Sequence, residues 1–73
     1  MLTKLQTLKA KLQTIEDIDD MFPELNMFQH ELHNAGYSDE STLLYWCLDY
    51  VDSHNGNIDD VATALRLIER LLA

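Results

Sequence analysis

The stretch Leu43-Leu44-Tyr45-Trp46-Cys47-Leu48-Asp49-Tyr50-Val51 holds eight apolar or aromatic residues in nine, and only Asp49 interrupts it. Such a run suits a buried strand or a core helix, and periodicity alone does not separate the two. The flanks do. Upstream, Ser38-Asp39-Glu40 offers a capping hydroxyl followed by two carboxylates suited to the positive end of a helix. Downstream, Ser53-His54-Asn55-Gly56 reads as a helix ending with Gly56 just past the last turn. With these segments the pattern spans about four helical turns, beyond ordinary strand length. The stretch is therefore predicted as the central helix, residues 39–54. Leu44, Cys47, Leu48 and Val51 form one of its faces and Leu43, Trp46 and Tyr50 an adjoining one. A helix apolar over more than half its circumference needs neighbours on several sides. The single Trp46 is expected to anchor the core, with Cys47 as a small buried hydrophobe beside it.

Working outward, Asn57 with Asp60 three residues on is a capping box that opens a last helix over 58–72. Its stripe is Ile58, Val61, Leu65, Ile68 and Leu72, and Leu67 and Leu71 add apolar surface beyond it. Upstream, Pro23 suits a first helical position and Gly36 a residue just past an end. Leu25, Phe28, Leu32 and Ala35 line one face of a helix over 23–35, with Tyr37 folding back onto Leu32. The first helix is expected over 3–19, from an N-cap at Thr3, with a narrow seam of Leu5, Leu8, Leu12 and Ile15. Its charges oppose its macrodipole, because lysines fill the N-terminal half and Glu16, Asp17, Asp19 and Asp20 the other end. The lysines must then face acids of the same fold or of a second copy. Four helices joined by short connections predict an all-α compact bundle, one domain over 1–73, packed in sequence order.

Charge narrows the function classes. Residues 1–15 carry Lys4, Lys9 and Lys11 and no acid, whereas residues 16–65 carry twelve acids and no Lys or Arg. The net charge is −8. Fifty residues without a cation offer few phosphate contacts, so direct nucleic-acid binding is not expected. An acidic body suits a protein partner with a basic surface. No apolar run reaches the roughly 20 residues of a membrane span, and no signal-peptide core is visible. With one cysteine placed in the apolar run, a reducing, cytoplasmic setting is expected.

No catalytic, cofactor or metal motif emerges. Aligning the turn 51–62 with an EF-hand puts Val51 and Ala62 where calcium needs carboxylates. His30 and His33 share a helical face but lack further defined ligands, and an apolar surround makes Cys47 a poor nucleophile. An enzyme is not expected.

The order helix, Ala35-Gly36-Tyr37, helix, Gly56-Asn57-Ile58, helix resembles the ubiquitin-associated domain, with Ala35 in place of that family's methionine and a longer middle helix. The resemblance implies ubiquitin contacts at Gly36, Tyr37 and Leu65. Read from the residues themselves, the chain is expected to be a non-enzymatic interaction module that binds and regulates or inhibits another protein, with the size and charge of phage or mobile-element inhibitors. Helical phase puts Tyr45, Asp49 and Asp52 on its partner-binding side. Leu5, Leu8, Leu12, Leu67 and Leu71 are expected to form a dimer or partner face, joining the first and last helices of a homodimer. The alternative is nucleic-acid mimicry, with Asp17, Asp19, Asp20, Asp49, Asp52, Asp59 and Asp60 occupying a cationic groove.

Overall fold

A computed structural model describes residues 1–54 and 56–73. Asn55, read above as part of the ending of the central helix, lies outside the described residues. Helix α1 runs Leu2–Leu12, α2 Phe22–Asn34, α3 Ser38–His54 and α4 Ile58–Leu72, with a short 3-10 helix at Ile18–Met21 between the first two. The four helices pack against one another as an all-α bundle, with no strand among the described residues.

The first helix ends at Leu12, seven residues before the end expected at residue 19. The Thr14 hydroxyl donates to the Lys11 carbonyl at 2.8 Å, closing its last turn. Asp17 then starts the 3-10 helix by accepting from the backbone N–H of Asp19 at 3.0 Å. The break resolves the dipole conflict, since Asp17, Asp19 and Asp20 now sit at the positive start of a new element instead of the negative end of a long one. Ile18 and Met21 are buried where the chain turns. The N-cap position belongs to Met1, and Thr3 lies inside the helix.

Local chemistry sets most of the remaining boundaries. Pro23 sits in the first turn of α2, where its missing N–H has no helical partner to lose. Past the end of α2, Gly36 adopts φ +91°, Tyr37 N donates to Leu32 O at 2.9 Å and Gly36 N to His33 O at 3.1 Å. These two bonds are the Schellman pair. The carbonyl of Tyr37 accepts the first bond of α3 from Ser41 N, so Ser38 is the first residue inside that helix and not its cap. Past α3, Gly56 N donates to Val51 O, five residues back, the bond of the second residue beyond a helix end where the first had been expected. Gly56 has no room for a side chain: a Cβ would stand 2.9 Å from an Asp60 carboxylate oxygen and 3.0 Å from Val51 Cα. Asn57 and Asp60 form the expected capping box of α4.

Packing follows the chain for α2 on α3 and α3 on α4, but α1 lies chiefly on α4 and not on its sequence neighbour. Leu5, Leu8 and Leu12 are almost wholly buried there, in one core with Phe28, Leu44 and Ile68. These three leucines, expected at a dimer or partner face, are consumed inside the single chain. The lysines of α1 straddle two helices. Lys4 and Lys11 pair with Glu31 and Glu24 of α2, and Lys9 donates to Glu69 of α4 at 3.1 Å. Each lysine therefore finds its acid within its own fold. One polar contact inside the bundle carries no sequence signature: the buried Ser41 hydroxyl donates to the Gln29 carbonyl at 3.1 Å and accepts from the Gln29 side-chain amide at 2.6 Å.

Because α1 packs on α4, no further helix among the described residues covers the outer side of α3. Trp46, expected to anchor the core, is 62% exposed. Its neighbours explain this: Leu44 and Leu48 are both buried, and a residue two positions from each lies on the opposite side of a helix. Leucines and Phe28 fill the interior without it.

Candidate functional site

Two contacts fix the orientation of α3. Ser41, bound to Gln29, marks the flank that meets α2. Cys47, whose Sγ lies 3.6 Å from the Asp60 carbonyl oxygen, marks the flank that meets α4. Tyr45, Asp49 and Asp52 stand on the first of these flanks at spacings of four and three, so they line up along the α2–α3 seam. With Phe22 and Asn26 of α2 and Leu48 beneath, they bound an open groove of about 260 Å³. Its floor is apolar, Leu48 being buried and Phe22 half-buried, while all three rim residues are exposed. The Tyr45 ring stands edge-on to Trp46, with centroids 5.9 Å apart and an 80° interplanar angle.

The carboxylates at this groove differ from the others in the molecule. Of thirteen acids, Glu24, Glu31 and Glu69 are ion-paired, which leaves ten without a cationic partner among the described residues. Asp17 and Asp60 cap their elements, Asp19 and Asp20 lie in the 3-10 turn, and Asp39, Glu40 and Asp59 occupy first helical turns. There a negative charge is favourable. Glu16 lies in a connection. Only Asp49 and Asp52 are unpaired acids in the C-terminal half of a helix, where the macrodipole opposes them. They also stand three apart, close enough to repel one another. Among the described residues neither is paired with a cation.

Two larger hollows flank α4. One of about 520 Å³ is lined by Leu12, Ile15, Ile58 and Ala62 with Lys9 and Arg66 at its edge, but Lys9 is held by Glu69 and Arg66 donates to the Thr63 hydroxyl at 3.1 Å. Hydrogen bonds from Lys9 and then Gln6 hold the Glu69 carboxyl below the usual carboxylate range. The other, of about 480 Å³, gathers Glu16, Asp17 and Asp59 around the α3–α4 turn. Among the described residues no three His, Cys, Asp or Glu side chains gather closely enough to hold a metal ion, and none of the helices is long and apolar enough to cross a membrane. His30, His33 and His54 are exposed, with His54 stacked on Tyr50 at 4.7 Å. Burial, and secondarily the Asp60 carboxylate, pushes the Cys47 thiol above its ordinary range, so little thiolate forms at neutral pH.

Leu67 and Leu71 are exposed as expected, at 41% and 58%. Leu65, which the ubiquitin-associated resemblance made a contact residue, is fully buried against the core and is closed to any partner. Tyr37 is exposed beside Gly36. No protein-family model, curated protein or solved structure matches the chain.

Proposed function

We propose that the chain is a non-enzymatic interaction module that binds and regulates or inhibits a protein bearing a basic surface, and that the α2–α3 groove is its recognition site. The observation that carries this reading is the pair Asp49 and Asp52, set against the helix dipole and without cations of their own, at the rim of an apolar groove. Acids that cost stability where they stand are accounted for by a partner that supplies the missing charge.

The groove is smaller than a pocket for a drug-sized molecule and too open to enclose one. It suits one or two long side chains of a macromolecule. An arginine or lysine of the partner would lay its aliphatic stem over Leu48 and Phe22, bring its charge against the Tyr45 ring and end between the two carboxylates. Bidentate geometry favours arginine.

Titrating the isotope-labelled chain with short arginine-bearing amphipathic peptides, followed by NMR, tests this. Shifts should concentrate at Phe22, Asn26, Tyr45, Asp49 and Asp52. The Asp49→Asn, Asp52→Asn double variant should weaken binding by about tenfold or more, the loss of a charge-assisted pair. Shifts spread over Asp19, Asp20 and Asp59, with a steep salt dependence and competition by DNA, would replace this reading with nucleic-acid mimicry. In that case Asp17 and Asp60 would have to act while engaged as caps.

A further inference from the structure

The cleft of about 520 Å³ between α1 and α4 is a second concave site, separate from the α2–α3 groove. Its volume lies within the range of small-molecule pockets, roughly 300–1,000 Å³, whereas the groove falls below that range. Leu12, buried, and Ile15, Ile58 and Ala62, half-buried, line it and pack on the core behind. The early end of α1 accounts for the opening. The chain leaves the helix after Leu12, so Ile15 sits on the connection, and the first turns of α4 are only partly covered.

The register of α4 sets the charges along this cleft. Asp59, Ala62 and Arg66 follow at spacings of three and four on one stripe, so acid and cation stand two turns apart, about 10 Å along the axis. Lys9 adds a second cation at the Arg66 end, because it pairs with Glu69, one turn beyond Arg66. All five cations of the chain lie on α1 and α4, and two of them reach this cleft. Neither is saturated. An ammonium has three donors and Lys9 gives one to Glu69, while a guanidinium has five and Arg66 gives one to the neutral Thr63 hydroxyl. Arg66 has no carboxylate partner among the described residues. With Glu69 counted against Lys9, this end of the cleft keeps one positive charge.

We infer that the cleft binds a small amphipathic carboxylate, one carboxyl group on an unbranched hydrocarbon tail. Its head lies between Arg66 and Lys9, and its tail runs over Ala62 toward Ile58 and Ile15. Each part of this ligand answers one feature of the cleft. The single uncompensated positive charge takes a monoanion. The apolar walls take a hydrocarbon, since a polar body such as an acidic peptide would leave its amides without partners there. The eight residues from Ile58 to Arg66 span about 12 Å, which suits an extended tail of about eight carbons. Asp59 at the far end fixes the direction, because the reverse pose would set two carboxylates side by side.

Titrating the isotope-labelled full chain with octanoate, followed by methyl, amide and arginine side-chain resonances, tests this. Saturable shifts with a Kd of about 1 mM or tighter should centre on Leu12, Ile15, Ile58, Ala62 and Arg66 and spare Tyr45, Asp49 and Asp52. From butanoate through hexanoate to octanoate, affinity should rise about two- to fourfold for each methylene added. The gain should level off beyond about ten carbons, where the tail overruns Ile58. Arg66→Gln should weaken octanoate about fivefold or more and leave octanol unchanged, since only the carboxylate uses the guanidinium. Ala62→Leu, which fills the cleft with a good helix former, should weaken both about tenfold or more. Circular dichroism checks that each variant is folded. Failure to saturate by about 10 mM, shifts centred outside the cleft, affinity indifferent to tail length, or octylammonium binding as tightly as octanoate would each overturn the inference.

Discussion

Ser41 sits in a run, Asp39-Glu40-Ser41-Thr42, that reads as an ordinary polar helix start. The fold gives it another role, as a nearly buried hydroxyl tied to both the backbone and the side chain of Gln29 on the neighbouring helix. Ser41→Ala removes both bonds and leaves the Gln29 amide without its partner at a part-buried site. The expected loss is about 1–2 kcal/mol, larger than the few tenths typical of surface changes. Chemical denaturation with an unchanged slope measures it, and a loss within error of zero would show the contact to be dispensable. The contact was invisible in the chain because its partner is twelve residues away and neither residue is unusual for a helix. Gly36 and the Asn57–Asp60 box were readable for the opposite reason, since their chemistry is complete within six and four consecutive residues. Trp46 shows a third case. Composition pointed inward, but its phase relative to Leu44 and Leu48 pointed outward, and phase is the stronger physical constraint because it fixes direction.

At the level of elements, the positions of acids explain where the helices stop and what α3 tolerates. The four acids from Glu16 to Asp20 could not extend α1 against its dipole, so the chain breaks and re-caps at Asp17. The signal for this break was present in the sequence, but the leucine seam running on to Ile15 masked it. In α3 the same conflict stays unresolved at Asp49 and Asp52. Replacing both by Asn keeps shape and helix propensity nearly constant while removing two unfavourable charges and their mutual repulsion. The melting temperature should rise by a few degrees at low salt, with Asp52, in the last turn, giving the larger share and the gain shrinking as salt is added. A rise in stability joined to a loss of binding is the pattern expected of a functional pair. An unchanged or lower melting temperature would show that the fold does use these charges. Glu69 gives the contrasting case. Its pKa is depressed in the folded chain, so the Lys9 and Gln6 contacts stabilise α1 on α4 above the unfolded carboxylate range, and that contribution disappears as pH falls through the lowered value.

Across the whole molecule the question is what holds α1, the helix whose placement sequence order misjudged. Short connections suggested packing on α2, yet α1 reaches α2 mainly through lysine–glutamate pairs and rests its leucines on α4. A connection of nine residues with its own 3-10 turn gives it the freedom to cross the bundle. Magnitudes decide which contact dominates. Partly exposed pairs such as Lys4–Glu31 contribute at most about 1 kcal/mol each, whereas burying a leucine contributes about 1.5–3 kcal/mol. Leu5, Leu8 and Leu12 therefore outweigh the three ion pairs. A chain of this length has only about 4–11 kcal/mol of total stability, so α1 is part of the cooperative core and not an appendage. Leu8→Ala should cost about 2–5 kcal/mol and lower the melting temperature by at least about 10 °C, with all helices lost in one transition. Lys4→Met and Lys11→Met should each change stability by less than about 1 kcal/mol. Thermal unfolding followed by circular dichroism and by amide resonances of α3 compares the two sets. If α1 melted first in Leu8→Ala while the α3 amides kept their protection, the remaining three helices would be a domain in their own right and α1 a detachable arm.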